Sequence, residues 1–277
     1  AAALPRSMTP VLVNRHEPGM EYGLHVDNAY MQRGKSGGLR SDLAATLFLS
    51  DLHLGALGSR ADLLLDFLVR NRAETYYLVG DVLDLWHPLI PHWGRAQQAV
   101  IEHLRERHAE GARLVYIRGN HDPVPDRADD RRRLPVPAQD HAVHDCADGR
   151  RFLVLHGDEC DTRPLRAHLI TRIGSHLDDV LRRLDRGLAA ALGRAKSHRR
   201  SLIEWLLTGV VRAYGLRRVH ERLLVEMARS RSLDGVICGH FHLPGLHNRL
   251  GLTYANCGDW LDSFTALGED HDGSLML

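Results

Sequence analysis

The stretch ATLFLSDLHLG, residues 45–55, decides the fold, because an apolar run ends abruptly in two polar side chains, Asp51 and His53. Residues 46–50 have the composition of a short buried strand. Two residues that are two positions apart on an extended segment point to the same face. The strand therefore ends where a carboxylate and an imidazole can reach one point above a sheet.

Four further apolar runs, each a predicted strand, end in the same way. They occupy residues 75–81, 113–122, 150–158 and 234–242, and residues 252–259 and 274–277 are predicted strands as well. Helical spacing over residues 61–71 and 92–111 separates the first three strands, which predicts βαβ units in a layered α/β domain. Ligand sites of such sheets lie at the carboxyl ends of the strands. We therefore expect these polar side chains to meet: Asp51, His53, Asp81, Asp84, Asn120, His121, His156, His240 and His242.

The predicted site combines carboxylates, imidazoles and one amide, without a thiolate. This donor set suits Mn²⁺, Fe²⁺ or Zn²⁺ in a catalytic role better than a structural zinc ion. Seven candidate ligands among these nine side chains are more than one catalytic ion with an open position accepts. The set predicts two divalent ions about 3.5–4 Å apart, bridged by one carboxylate. Each motif alone is commonly turn chemistry or a surface pair, but their ordered recurrence favours a site.

Composition sets only broad limits on the protein. The 277 residues suffice for one large α/β domain or two smaller ones, and the net charge of +1 indicates no particular partner. The four cysteines form no CxxC pair, which favours reduced thiols and a cytoplasmic location. No apolar run approaches the length of a membrane span.

A helical insertion is predicted over residues 162–231. Its helical stretches are residues 165–192, 201–216 and 217–230. The insertion carries sixteen basic residues against six acidic ones, so it is strongly positive. Residues 201–216 form an apolar stripe at helical spacing. This stripe predicts either a helix that faces the core or a surface that binds acyl chains.

The ordered motifs DxH, GDxxD, GNHD, HGD and GHFH resemble those of the calcineurin-like metallophosphoesterases over residues 46–277. The resemblance implies an α/β (α+β) fold, a four-layer β-sandwich flanked by helices, here with a helical cap insertion. It also implies a hydrolase with two divalent ions, Mn²⁺ foremost and Fe²⁺ or Zn²⁺ as alternatives. The implied ligands are Asp51, His53 and His242 for one ion, Asn120, His156 and His240 for the other, and Asp81 as the bridge. The implied catalytic residues are His121, as the general acid, and Asp84, which orients it.

A narrower resemblance is to the bacterial UDP-2,3-diacylglucosamine pyrophosphatases. It rests on SDLHLG, YLVGDVLDLW, YIRGNHD, HGDECD, GVICGHFH and YANCGDW. It implies a nucleotide-diphosphate-linked lipid of lipid A synthesis as substrate, with UMP and a lipid monophosphate as products. The basic charge and the apolar stripe of the insertion also predict peripheral contact with an anionic membrane, such as the inner membrane. Residues 123–139 depart from the family pattern, so the substrate-binding residues stay unassigned.

The opening residues resemble a different family. Residues 11–30 and 39–51 are similar to PKHD-type hydroxylases, which depend on iron and 2-oxoglutarate. That resemblance implies that His25 and Asp27 are two of three iron ligands, but the third ligand is missing from the pattern. We expect residues 1–43 to be a poorly ordered, hydroxylase-like extension and the domain to occupy residues 44–277. The alternative is a coincidental N-terminal segment. In both cases we expect the strand within residues 45–51 to serve the phosphoesterase.

Three rival functions remain at this point. One is a general phosphodiesterase or phosphatase for a nucleotide or nucleic acid. The basic insertion is compatible with nucleic acid, but it lacks an aromatic stacking platform. The second rival is a non-catalytic scaffold on the same fold, which the full ligand set disfavours. The third is the oxygenase, which its truncated pattern disfavours. The sequence carries no signal for an oligomeric state.

Deleting residues 1–43 should leave both hydrolase activity and melting temperature nearly unchanged, because a hydroxylase fragment without its barrel has no core to join. A fall in melting temperature above about 5 °C, on the order of 1 kcal/mol or more, would show that the segment is integrated into the domain. Differential scanning calorimetry and a hydrolysis assay on both proteins provide the measurement. Iron with 2-oxoglutarate should give no turnover.

Overall fold

A computed structural model describes residues 43–85, 92–122, 131–160 and 216–277. The N-terminal extension up to residue 42 and insertion residues 162–215 lie outside them. The strands are β1 Leu43–Leu49, β2 Arg72–Val79, β3 Arg113–Ile117, β4 Ala138–Gln139, β5 His141–Asp145, β6 Arg151–Leu155, β7 Gly235–Cys238, β8 Gly245–Arg249, β9 Leu252–Asn256, β10 Leu267–Glu269 and β11 Leu275–Met276. The α-helices of the described residues are α1 Ala61–Arg70, α2 Arg95–Ala109 and α3 Leu216–Ser230, and a 3-10 helix covers Asp158–Cys160.

The first sheet has six strands in the order β11-β10-β1-β2-β3-β4. Its centre is parallel, because β2 pairs in parallel with both β1 and β3. Helix α1 connects β1 to β2, and α2 precedes β3, so the predicted βαβ units are present. Helix α1 buries Ala61, Leu64 and Leu68, which recur at helical spacing and form one apolar face.

The second sheet has five strands in the order β5-β6-β7-β9-β8. Its central strands β6, β7 and β9 are parallel neighbours. Helix α3, the described part of the predicted insertion, packs on this sheet through Leu224, Val225 and Ala228. Among the described residues, no helix is long and apolar enough to cross a membrane.

Three apolar clusters define four layers. One joins the first sheet to α1 and α2, around residues such as Leu49 and Leu64. The second lies between the sheets, where Phe48 and Tyr77 meet Phe152 and Ile237. The third joins the second sheet to α3. The predicted four-layer sandwich flanked by helices is therefore confirmed.

Strand β1, which contains the apolar run before Asp51, belongs to this sandwich. Strand β1 pairs with β2 from Leu43 opposite Arg72 to Leu49 opposite Leu78. Its first paired residue lies one position inside the segment predicted as an extension. A deletion that tests the extension is therefore best ended at residue 42.

The sequence did not predict four of the observed strands, which are β4, β5, β8 and β10. Strand β5 is HAVHD and β8 is GLHNR, and both alternate poorly because they leave polar residues half-exposed at or near a sheet edge. Strands β4 and β10 are only two and three residues long. Apolar periodicity is weak in strands that are exposed or very short. Whether such a segment forms a strand depends on its pairing with neighbouring strands.

A buried polar pair lies between the two sheets. The His144 ring nitrogen Nε2 is 2.7 Å from Glu269 Oε2, and the Ala147 N–H donates to Glu269 Oε1 over 2.9 Å. The His144 ring also meets Phe48 and Tyr77 edge-on. Burial raises the pKa of Glu269, but the hydrogen bonds from His144 and Ala147 outweigh it and lower that pKa to about 2. The ionised carboxylate therefore stabilises the interface between the sheets.

Glu269→Gln should destabilise the protein at pH 7 by about 1–3 kcal/mol, because it removes a buried charged acceptor. The folded pKa of Glu269 lies below the usual value of 4.5, so its contribution is complete above that pH. It is lost as pH falls from there through about 2, so the wild type and the variant should converge. Denaturant unfolding between pH 7 and 3 measures the difference, with exposed Glu226→Gln as the control. A difference that stays constant over this range would contradict the assignment.

Candidate metal centre

The carboxyl ends of five strands meet at one edge of the sandwich. Strands β1, β2 and β3 are parallel neighbours in the first sheet, and β6 and β7 are parallel neighbours in the second. The loops that follow them continue the pairing, since Asp51 N–H donates to Gly80 O and His53 N–H to Asp81 O. In the second sheet, Gly239 N–H donates to His156 O. This arrangement brings the strand-end side chains together, as the sequence predicted.

A first group of ligand atoms comes from Asp51, His53 and His242. His242 Nε2 lies 3.1 Å from Asp51 Oδ1 and 3.4 Å from His53 Nε2. His53 Nε2 lies 3.8 Å from Asp51 Oδ1. All three atoms thus face a common point, contributed by both sheets.

A second group comes from Asp81, His156 and His240. His156 Nε2 lies 3.3 Å from Asp81 Oδ2, and the rings of His156 and His240 are 5.1 Å apart. The same oxygen, Asp81 Oδ2, lies 3.8 Å from His53 Nε2 of the first group. Asp81 therefore stands between the two groups, the position expected of a bridging carboxylate.

The other nitrogens of two histidines are already engaged. His156 Nδ1 lies 3.0 Å from the carbonyl oxygen of Val79, so it carries the ring proton of the neutral imidazole. His53 Nδ1 lies 3.2 Å from Asp84 Oδ2. Both contacts leave Nε2 as the lone-pair atom, which is the pattern of metal-ligating histidines held by outer acceptors.

Each aspartate also has one oxygen engaged and one turned to the centre. His121 N–H donates to Asp81 Oδ1 over 2.7 Å. His240 N–H donates to Asp51 Oδ2 over 2.9 Å, and the Ser50 hydroxyl lies against the same oxygen. These contacts fix each carboxylate so that its second oxygen, Oδ1 of Asp51 or Oδ2 of Asp81, faces the imidazoles.

Two of these inward-facing atoms, Asp51 Oδ1 and His156 Nε2, have no hydrogen-bond partner although they are buried. Asn120 Oδ1, in the loop after β3, is likewise buried without a partner. Buried polar atoms ordinarily have partners, and converging lone pairs without donors are what a cation requires. This donor set of oxygen and imidazole nitrogen fits divalent ions such as Mn²⁺, Fe²⁺ or Zn²⁺. Asn120, which immediately precedes His121, stays a predicted ligand, and its buried amide oxygen is compatible with that role.

One other group of potential ligands, His144, Cys146 and Glu269, differs in this respect. Its carboxylate accepts hydrogen bonds from His144 and Ala147. Burial raises the pKa of the Cys146 thiol to about 12, with the Glu269 carboxylate adding to the shift, so the thiol stays protonated. We therefore read this group as a satisfied structural network and the strand-end group as the candidate metal centre.

The backbone is strained at the centre. Five candidate ligands have positive φ: Asp51 at 53°, His53 at 45°, Asp81 at 51°, His240 at 72° and His242 at 52°. Such conformations are uncommon for residues other than glycine and cluster at functional sites. The strain turns these side chains inward directly after the strands end.

Electrostatics at the centre couple carboxylates to imidazoles. Burial raises the pKa of Asp51, but His242 outweighs it and holds that pKa at about 2. At Asp81, burial again raises the pKa, but the nearby His156 outweighs it. The pKa of Asp81 therefore lies well below its usual value. Conversely, burial lowers the pKa of His242, but Asp51 raises it to about 10. The buried carboxylates need nearby positive charge, which imidazole protons or divalent ions can supply.

Asp84 and His121 lie beside the first group. Asp84 Oδ2 is 3.2 Å from His121 Nδ1, as the sequence predicted, and it is also 3.2 Å from His53 Nδ1, which the sequence did not predict. The rings of His121 and His53 meet edge-on, 4.8 Å apart. Burial lowers the pKa of His121, but the hydrogen bond with Asp84 outweighs it and raises that pKa. One carboxylate thus orients both imidazoles.

Sequence reasoning also missed the role of Asp122. Its carboxylate accepts backbone N–H groups of Val82, Leu83 and Gly119, which ties the loop after β3 to the loop after β2. Burial raises the pKa of Asp122 to about 6. Its position in GNHD was visible, but no spacing in the sequence shows which backbone amides a carboxylate will meet.

Comparison with solved structures finds phosphoesterases and related proteins at low identity. The phosphoesterase Yfce from E. coli is 17% identical, with 84% of this chain and 96% of that chain covered and a TM-score of 0.40. Vps29 complexed with Zn+2 from Entamoeba histolytica is 14% identical, with 83% and 88% covered and a TM-score of 0.41.

Curated relatives match only a short stretch. A PKHD-type hydroxylase of Klebsiella pneumoniae is 55% identical over 51 residues, which is 18% of this chain and 23% of that protein. The PKHD-type hydroxylase YbiX of Escherichia coli is 51% identical over 51 residues, with the same shares. This chain therefore spans 23% of the length of these curated relatives. The hydroxylase-like nature of residues 1–43 stays a prediction.

The family profile gives the broader result. The profile of the calcineurin-like phosphoesterases matches residues 45–244, a range that includes all the candidate ligands and both residues beside them. The fold, with polar groups at the carboxyl ends of five strands, agrees with that match. The chain belongs to the calcineurin-like phosphoesterase family and is a metal-dependent hydrolase.

Proposed function

We propose that the protein hydrolyses a phosphodiester or pyrophosphate bond with two divalent ions at the strand-end centre. The observation that carries this proposal is the position of Asp81 Oδ2. It lies 3.8 Å from His53 Nε2 on one side and 3.3 Å from His156 Nε2 on the other. A single carboxylate oxygen between two imidazole groups is the arrangement of a bridged pair of ions.

The proposed roles follow the two groups of ligand atoms. Asp51, His53 and His242 hold one ion, Asn120, His156 and His240 hold the other, and Asp81 bridges them. Two such ions bind phosphoryl oxygens and generate a nucleophile from water at neutral pH. Mn²⁺ is the foremost candidate, with Fe²⁺ and Zn²⁺ as alternatives, because the donors are imidazoles, carboxylates and an amide.

His121 is the proposed general acid for the leaving oxygen, and its setting supports that role. The side chain is mostly buried at the edge of the first group, 13% exposed. Asp84 accepts its Nδ1–H, which fixes the ring orientation. Protonated His121 then presents its second N–H to a leaving group that arrives beside the ligands. Asp84 is therefore a positioning residue for both His121 and His53.

The substrate class is a finer proposal. The strand-end motifs support a UDP-2,3-diacylglucosamine pyrophosphatase-like enzyme that releases UMP and a lipid monophosphate in the cytoplasm. The basic, apolar insertion over residues 162–231 supports peripheral contact with anionic membrane. Only its last part, α3, lies within the described residues. A general phosphodiesterase acting on a nucleotide is the second candidate, supported by the same metal groups.

The purified protein should hydrolyse bis-p-nitrophenyl phosphate when loaded with Mn²⁺ and lose that activity on chelation. UDP-2,3-diacylglucosamine should be turned over faster than this small diester, and p-nitrophenyl phosphate more slowly. Product analysis should show UMP, because attack on the diphosphate separates the nucleotide from the lipid phosphate. Activity on the diester without the lipid would favour the general phosphodiesterase. Absence of metal-dependent hydrolysis on all three substrates would contradict the proposal.

Asp81→Ala should abolish binding of both ions, because its oxygen serves both groups, and hydrolysis should fall about a hundredfold or more. His242→Ala should weaken mainly one ion, because His242 belongs to the first group alone. Elemental analysis and calorimetric titration with Mn²⁺ measure the stoichiometry. His271→Ala, a change at an exposed histidine, is the control. Two tightly bound ions in Asp81→Ala would contradict the bridging role.

A further inference from the structure

His220 connects helix α3 to the candidate metal centre. It lies in the first half of the helix and is 4% exposed. Its Nε2 is 2.8 Å from the carbonyl oxygen of Gly157, the residue that follows the candidate ligand His156. A carbonyl oxygen only accepts, so His220 donates its Nε2–H to it. The helix thereby holds the loop that begins at His156.

The same imidazole also packs against the second strand-end loop of this sheet. Its ring lies 4.3 Å from the ring of Phe241, edge-on, and Phe241 stands between the candidate ligands His240 and His242. The His220 ring is 6.0 Å from the ring of His240 itself. His220 therefore touches both segments that supply imidazoles to the second group.

Packing around Gly157 leaves little freedom for that loop. Gly157 has φ of 119°, a conformation that favours glycine. A Cβ atom there would lie 3.1 Å from His220 Cε1 and 3.6 Å from His240 Cβ. The glycine, His220 and His240 thus pack directly against one another. A shift of the His220 ring would change the distance between the two ligand loops.

Helix α3, which carries His220, is packed tightly on the second sheet. Leu224, Val225 and Ala228 are fully buried in the cluster beneath the second sheet. Glu221, next to His220, is 4% exposed and faces His247 of β8 across 3.5 Å. The helix is therefore anchored to the sheet independently of the metal loops, and His220 transmits its position to them.

We infer that His220 is a positioning residue for the second ligand group, the one formed by Asp81, His156 and His240. It sets the spacing of the His156 and His240 loops by a hydrogen bond to one and a ring contact with the other. The inference rests on the proposed two-ion function, and it extends that function from the strand ends to the helix at the end of the insertion. The contacts of His220 with Gly157, Phe241 and His240 lie on the two loops of the second group, so its removal should affect that group more than the first.

The test uses His220→Phe, which keeps an aromatic ring against Phe241 but removes the donor to Gly157. His220→Gln is the rescue variant, because its amide N–H can still reach that carbonyl. Val225→Ala is the matched control, since it loosens the packing of the same helix on the second sheet and leaves His220 in place. Melting temperatures of the metal-free proteins show how far each change destabilises the fold.

Two background variants allow the affinity of each ion to be measured separately. In His242→Ala the second group remains complete, and in His156→Ala the first group remains complete. Calorimetric titration with Mn²⁺ should show that His220→Phe weakens the remaining ion about tenfold or more in the His242→Ala background. The remaining ion in the His156→Ala background should change less than about twofold. His220→Gln should recover most of the lost affinity, and Val225→Ala should lower the melting temperature with little effect on affinity.

Equal weakening in both backgrounds would overturn the inference, and so would weakening by Val225→Ala that matches that by His220→Phe. If the wild type binds two ions and His220→Phe binds them with unchanged affinities, the inference is overturned but the proposed function is not. A wild-type protein that binds no divalent ion would instead overturn the proposed function, and the inference with it.

Discussion

Two carboxylates, Asp51 and Asp81, are buried at the ends of parallel strands, and their burial determines how the surrounding loops must be arranged. A carboxylate loses its hydration when it is buried, and two of them at one edge also repel each other. Imidazoles of His242 and His156 face them at 3.1 Å and 3.3 Å. Hydrogen bonding satisfies one oxygen of each carboxylate, and the other oxygen of Asp51 has no hydrogen-bond partner. The site is therefore arranged around positive charge, and the fold must hold it in that arrangement.

That requirement explains the strained backbone and the clamps around it. Left-handed conformations at the candidate ligands persist only where surrounding contacts determine them. Asp122 supplies one such set of contacts by accepting three backbone N–H groups from two loops. Trp260 supplies another, since its backbone N–H donates to the carbonyl oxygen of Asp51. Gly80 allows a close approach between the loops, because a Cβ there would overlap the ring of His156. The strain at the ligands is thus offset by contacts from residues that are not ligands.

The sequence could predict the ligands because each follows an apolar strand directly. Strand periodicity located β1, β2, β3, β6 and β7, and parallel strands bring their carboxyl ends to one edge. The sequence could not predict Asp122, His220 or the second contact of Asp84, because these depend on which loop or helix packs nearby. His220 stands in an amphipathic helix, where a lone histidine is ordinarily a packing residue. Strands β5 and β8 were missed because exposure removes their alternation.

Both sheets contribute to each ligand group, which ties metal binding to the packing of the sandwich. Asp51, His53 and Asp81 follow strands of the first sheet, whereas His156 and the two histidines after β7 follow strands of the second. An ion held by either group would therefore connect the two sheets at this edge. Ligands that bind only the folded state stabilise it in proportion to the logarithm of their concentration over Kd. Burying these polar groups without a cation is unfavourable. With an ion bound, the same edge would be a second polar connection between the sheets, in addition to the His144–Glu269 pair in the interior.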